Sequence, residues 1–103
     1  MIDIKIERDG NAIMLSAIGH ADFAEYGSDI VCAGVSSVIL GLCSALNSKS
    51  SESRISSGCA IVRALFNRES KCYFRFAEKA LSLIAANYPE NVRFSVNNNT
   101  RKA

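Results

Sequence analysis

Gly19-His20-Ala21-Asp22-Phe23-Ala24-Glu25-Tyr26-Gly27-Ser28-Asp29-Ile30-Val31-Cys32-Ala33-Gly34-Val35-Ser36 is the stretch on which the fold turns. A strand has to end at its start and an apolar helix has to begin inside it. It holds the only histidine of the chain and, twelve positions later, a cysteine in the first turn of that helix. A thiol at a helix start, within reach of one imidazole, is the arrangement a cysteine nucleophile needs.

On the N-terminal side, Ile2, Ile4 and Ile6 alternate with Asp3, Lys5 and Glu7, which predicts a strand with one buried face. Asp9-Gly10 is a favoured two-residue hairpin turn. With that turn Ile6 faces Ile13, Ile4 faces Leu15 and Ile2 faces Ala17, three apolar pairs on one face. The second strand then ends near Ile18, and His20 leaves the sheet at its rim. Residues 21–28 form a loop bracketed by Gly19 and Gly27, which can act as hinges. Two readings of the loop stand: an ordinary surface connection, or a lid that orders over a substrate and contributes Phe23 and Tyr26 to its groove.

On the C-terminal side, Asp29 is the expected N-cap, which makes Cys32 the third helical residue. Val31, Val35, Val38, Leu42, Ala45 and Leu46 form an apolar stripe, widened by Ile39 and Cys43, and Asn47 and Ser48 end the helix. Residues 30–46 carry no charge, but a run of about 17 residues that includes Gly34, Ser36, Ser37 and Gly41 reads as a buried core helix rather than a membrane span. Residues 48–57 are serine-rich and read as an exposed connection, with Ile55 at most in a short strand. Cys59–Leu65 is a strand, Asn67–Ser70 a break, and about Glu69–Asn87 a second helix. Tyr73-Phe74-Arg75-Phe76 also suits a strand, which leaves that helix's start open. Pro89 stops the helix, Val92–Val96 alternates as a last strand, and Asn97–Ala103 is a polar tail expected to fray. The expected architecture is α/β, an α+β sandwich: one domain over residues 1–103, with a small sheet and N-terminal hairpin packed against two helices.

The totals agree. At 103 residues the chain has room for one core, and 49% hydrophobic against 21% charged residues excludes a disordered chain. A net charge of +2 does not argue for nucleic acid, and Met1-Ile2-Asp3-Ile4 is no secretory signal, so direct nucleic-acid and membrane partners are not expected and a cytoplasmic protein is. The four cysteines (Cys32, Cys43, Cys59, Cys72) contain no C-x-x-C pair, and with one histidine they make neither a disulfide framework nor a metal site; no cofactor is expected.

Cys32 has the best physical case for reactivity, because the partial positive charge at a helix N-terminus stabilises a thiolate. The competing account is a small buried hydrophobe. His20 is the sole candidate base, against the alternative of an inconsequential surface histidine. Asp29 either caps the helix or also orients His20. Ser36, one turn after Cys32, can donate a hydrogen bond into the site. Backbone amides at the helix start are candidates to hold an oxyanion.

Gly19-His20-Ala21, Tyr26-Gly27 and Asp29-Ile30-Val31-Cys32-Ala33-Gly34-Val35-Ser36 resemble the signature of the bacterial ribosomal-processing cysteine protease family, Prp. Asn87-Tyr88-Pro89-Glu90-Asn91-Val92-Arg93 is similar to that family's closing segment. The resemblance implies a small homodimeric α/β sandwich that removes an N-terminal extension from large-subunit ribosomal protein twenty-seven by cutting after two phenylalanines. It implies Cys32 as nucleophile, His20 as general base and acid, and Asp29 and Ser36 as supporting residues. Gly19, Ala21, Phe23, Tyr26 and Gly27 then belong to the substrate-binding lid. Two other classes stay open at this level: a non-catalytic ribosome-associated binding module, and a redox-sensing thiol protein.

Overall fold

The N-terminal alternation folds as an antiparallel hairpin of β1 (Ile2–Asp9) and β2 (Ala12–Gly19) in a computed structural model that describes residues 1–25 and 27–99. The register is Ile4 with Ala17, Ile6 with Leu15 and Arg8 with Ile13, so Gly10-Asn11 forms the turn instead of Asp9-Gly10. The difference is an even number of residues, which leaves each side chain on its expected face. The longer pairing is fixed from outside the hairpin. The strand β4 (Cys59–Leu65) pairs with β2 as far as Ala12 with Leu65, and the Phe66 N–H donates to the Asn11 carbonyl.

The other elements are α1 (Ile30–Ala45), β3 (Ser51–Ser56), α2 (Arg68–Asn87) and β5 (Val92–Asn99). The sheet order is β3-β4-β2-β1-β5, antiparallel throughout except for the parallel pairing of β1 with β5. Ile2, Ile4 and Ile6 of β1, Leu15 of β2 and Val62 of β4 share one buried cluster with Val31, Val35, Ile39 and Leu42 of α1 and Phe74, Ala77 and Leu81 of α2. Both helices therefore cover one face of the sheet. Asp3, Lys5 and Glu7 point to the opposite face, and none of them is buried. This is the two-layer α+β architecture expected from the pattern.

Several boundaries differ from the sequence reading. Residues 51–56 are a strand rather than a loop; β3 is an edge strand exposed along nearly its whole length, so no apolar alternation marks it. In α1, Ile39 sits inside the buried stripe and Ala45 is exposed, with Leu46 as the C-cap. Tyr73–Phe76 is helical. The choice is made by an N-terminal capping box, in which the Ser70 N–H donates to Asn67 Oδ1 and the Asn67 N–H donates to Ser70 Oγ. The last strand extends through Asn99, because β1 offers a partner to Asn97–Asn99; residues 100–103 of the expected tail lie outside the described residues.

Candidate active site

β2 ends at Gly19, whose φ of +104° and close approach to the Met1 carbonyl leave no room for a side chain. His20 follows at once, exposed at the sheet rim. Cys32, partly buried, is the third residue of α1. Both residues border one space: His20 and Cys32, with Gly19 and Ser36, line a cavity of about 150 Å³. They also face an outer cleft of about 860 Å³, with Asp22, Gly27 and Asp29 on its walls.

The thiol accepts one backbone hydrogen bond, from the Ala21 N–H to Sγ at 3.4 Å. Ala21 itself is buried. Three amides of the first turn of α1 are engaged by its cap. Val31 and Cys32 N–H both donate to Asp29 Oδ1 at 3.0 and 2.9 Å, and Ala33 N–H donates to the Asp29 carbonyl. These three N–H groups therefore have acceptors within the chain's own helix cap. Of the backbone donors near the sulfur, the one aimed at it belongs to Ala21.

Asp29 is the N-cap of α1, and its second oxygen reaches back to the loop, accepting from Phe23 N–H at 2.9 Å and Ala24 N–H at 3.3 Å. Its carboxyl is held below the usual carboxylate range, chiefly by the Cys32 N–H. Partial desolvation opposes that shift, and the N–H groups of Phe23, Ala24 and Val31 add to it. Among the described residues no hydrogen bond joins Asp29 to His20, so capping and loop anchoring account for both of its oxygens.

The loop residues fall in different places. Phe23 packs edge-to-face on Tyr88 with ring centroids 5.4 Å apart and lines neither cavity. Gly27, at φ +90°, borders the outer cleft, and Tyr26 lies outside the described residues. Among the described residues, the apolar walls of the inner cavity include Val35, Ile39 and Leu40 of α1 and Ile55 and Ala60 of the β3–β4 hairpin.

That hairpin was missed as part of the site. Gly58 lies in its turn at φ +75°, and a Cβ there would sit 2.8 Å from His20 Nε2, so the imidazole rests against a bare backbone. The Ser57-Gly58 pair carried a turn signal, but nothing in the chain's order tied it to His20. Asn91 was also missed; its Nδ2 donates to the Ala21 carbonyl at 2.9 Å across 70 positions of sequence. The four cysteines are free, and no group of His, Cys, Asp and Glu among the described residues is arranged to hold a metal ion.

A family model described as cysteine protease Prp matches residues 1–93. The chain belongs to the Prp family. Over 51 residues it is 43% identical to the ribosomal processing cysteine protease Prp of Staphylococcus aureus, a match covering 50% of this chain and 48% of that one. To the Prp of Bacillus subtilis it is 44% identical over 48 residues, covering 45% and 43%. These matches span about half the length of the curated relatives. The structural likeness is wider. The crystal structure of the essential ribosomal processing protease Prp from S. aureus, in complex with a covalently linked product peptide, superposes with a TM-score of 0.82 at 30% identity. That superposition covers 93% of this chain and 99% of the S. aureus chain. No helix among the described residues is long and apolar enough to cross a membrane.

Proposed function

We propose that this Prp-family chain is a cysteine endopeptidase with Cys32 as nucleophile and His20 as general base and acid. The observation that supports the reading is that Cys32 and the chain's one histidine line a single cavity, with a backbone N–H aimed at the sulfur. His20 takes the Cys32 proton, and the thiolate attacks the scissile carbonyl carbon. The carbonyl electron pair moves onto oxygen, where the Ala21 N–H is the donor at hand. The oxyanion then collapses, the carbon–nitrogen bond breaks, and His20 delivers its proton to the departing amine. Water attacks the thioester and passes a proton to His20; the sulfur leaves as thiolate and the acid product is released. Ser36, which lines both cavities, donates a hydrogen bond into the site in this reading.

The substrate in this reading is the N-terminal extension of large-subunit ribosomal protein twenty-seven, cut after two phenylalanines, and the enzyme works as a homodimer. The apolar inner cavity suits an aromatic side chain, with Leu40 and Ile55 half exposed at its walls. The deciding experiment is cleavage of a peptide copied from the host's extended ribosomal protein, read by mass spectrometry. A single cut after the aromatic pair, absent with Cys32→Ala and with His20→Ala, is expected. An uncut peptide that still binds wild type overturns the protease reading in favour of a binding module.

A further inference from the structure

We propose that Asn91 is a positioning residue for Cys32, acting through Ala21; the inference rests on Cys32 being the nucleophile of the proposed reaction. Ala21 is held from both sides. Its carbonyl accepts from Asn91 Nδ2 at 2.9 Å, and its N–H donates to Cys32 Sγ at 3.4 Å. The Cα between those two peptide groups belongs to a residue only 1% exposed. A displacement of the carbonyl is therefore carried to the N–H that faces the sulfur.

The segment has an uncommon backbone shape. Asp22, the next residue, has φ +56°, the one positive value at a non-glycine among the described residues. Such a conformation persists where surrounding contacts over-determine it. Asn91 supplies one of those contacts from a rigid base. Its own N–H donates to the Tyr88 carbonyl, and its carbonyl accepts from the Ile2 N–H, both at 2.9 Å. Tyr88, in the same α2–β5 turn, grips the loop a second time through Phe23. A carboxamide is required at position 91, because a carboxylate would face the Ala21 carbonyl with a second acceptor.

The consequence falls on the chemical step. A donor that meets the developing oxyanion contributes in the transition state and little to ground-state binding, so its misplacement lowers kcat and leaves KM. The test uses the full chain with Asn91→Ala and the near-isosteric Asn91→Asp. Peptide cleavage, iodoacetamide alkylation of Cys32 and hydrogen exchange of the Ala21 amide are measured in each. The exposed Cys72 serves as an internal reference thiol. We expect kcat to fall about tenfold or more in both variants with KM unchanged. Cys32 alkylation slows severalfold relative to Cys72, and the Ala21 amide loses protection. Unchanged kcat and unchanged relative alkylation in a folded Asn91→Asp protein overturn the inference, and that variant carries the test alone if Asn91→Ala does not fold. Slower Cys32 alkylation in the variants of a protein whose wild type cuts no peptide overturns the protease reading and leaves Asn91's role standing.

Discussion

Asp29 uses its two carboxylate oxygens on two different segments. Oδ1 takes the Val31 and Cys32 N–H groups and Oδ2 those of Phe23 and Ala24, so one side chain closes the helix and ties the loop to it. The capping half was legible, because an aspartate directly before an apolar run is a helix-start signal. The loop half was not, since no local rule says which amides turn back. The charge has a pH signature. Asp29's carboxyl lies below its ordinary range in the folded protein, so its contribution is complete where the carboxyl is ionised in both folded and unfolded chains. It is lost as the pH falls through the lowered folded value. Asn at this position keeps an acceptor and does not titrate. Asp29→Asn should therefore lower the thermal midpoint at neutral pH, with the gap to wild type narrowing in acid. Parallel midpoint curves across a pH series would refute this account.

At the level of elements, the β3–β4 hairpin shows how a site wall can be invisible in sequence. Ser51–Ser56 is polar and almost wholly exposed, and it is a strand because β4 offers a ladder, with Ile55 opposite Ala60 and Ser56 opposite Cys59. Pairing makes it a strand where composition suggests a loop. The same hairpin brings Gly58 against His20 and Ile55 to the apolar cavity, a contribution the sequence reading did not assign to it. Ile55→Asp places a charge on that wall. It should raise KM for the aromatic peptide about tenfold while kcat stays close to wild type. A KM that does not move would show that the substrate's aromatic side chains lie elsewhere. α2 teaches a related lesson: Tyr73–Phe76 suited either state locally, and the Asn67–Ser70 box together with burial of Phe74 selected helix.

Across the whole molecule, the geometry around His20 and Cys32 depends on one core shared by the sheet and both helices. Leu81, fully buried, is on the helix that leads into the α2–β5 turn carrying Tyr88 and Asn91. Leu81→Ala should cost about 2–5 kcal/mol of unfolding free energy, because the cavity is only partly refilled. Urea denaturation measures it, and a loss well under that range would mean the two layers repack around the gap. The sequence by itself determined the two-period pattern of the first hairpin, the cap and stripe of α1, the place of Cys32 in its first turn and the stop at Pro89. Each is a local matter, set by side chains within a few positions of one another. Only tertiary structure decided the hairpin's two-residue register, the existence of β3, the parallel pairing of β1 with β5 and the hold of Asn91 on Ala21. Those depend on hydrogen-bond partners that lie far along the chain, and a backbone donor or acceptor does not reveal in sequence which distant group will satisfy it.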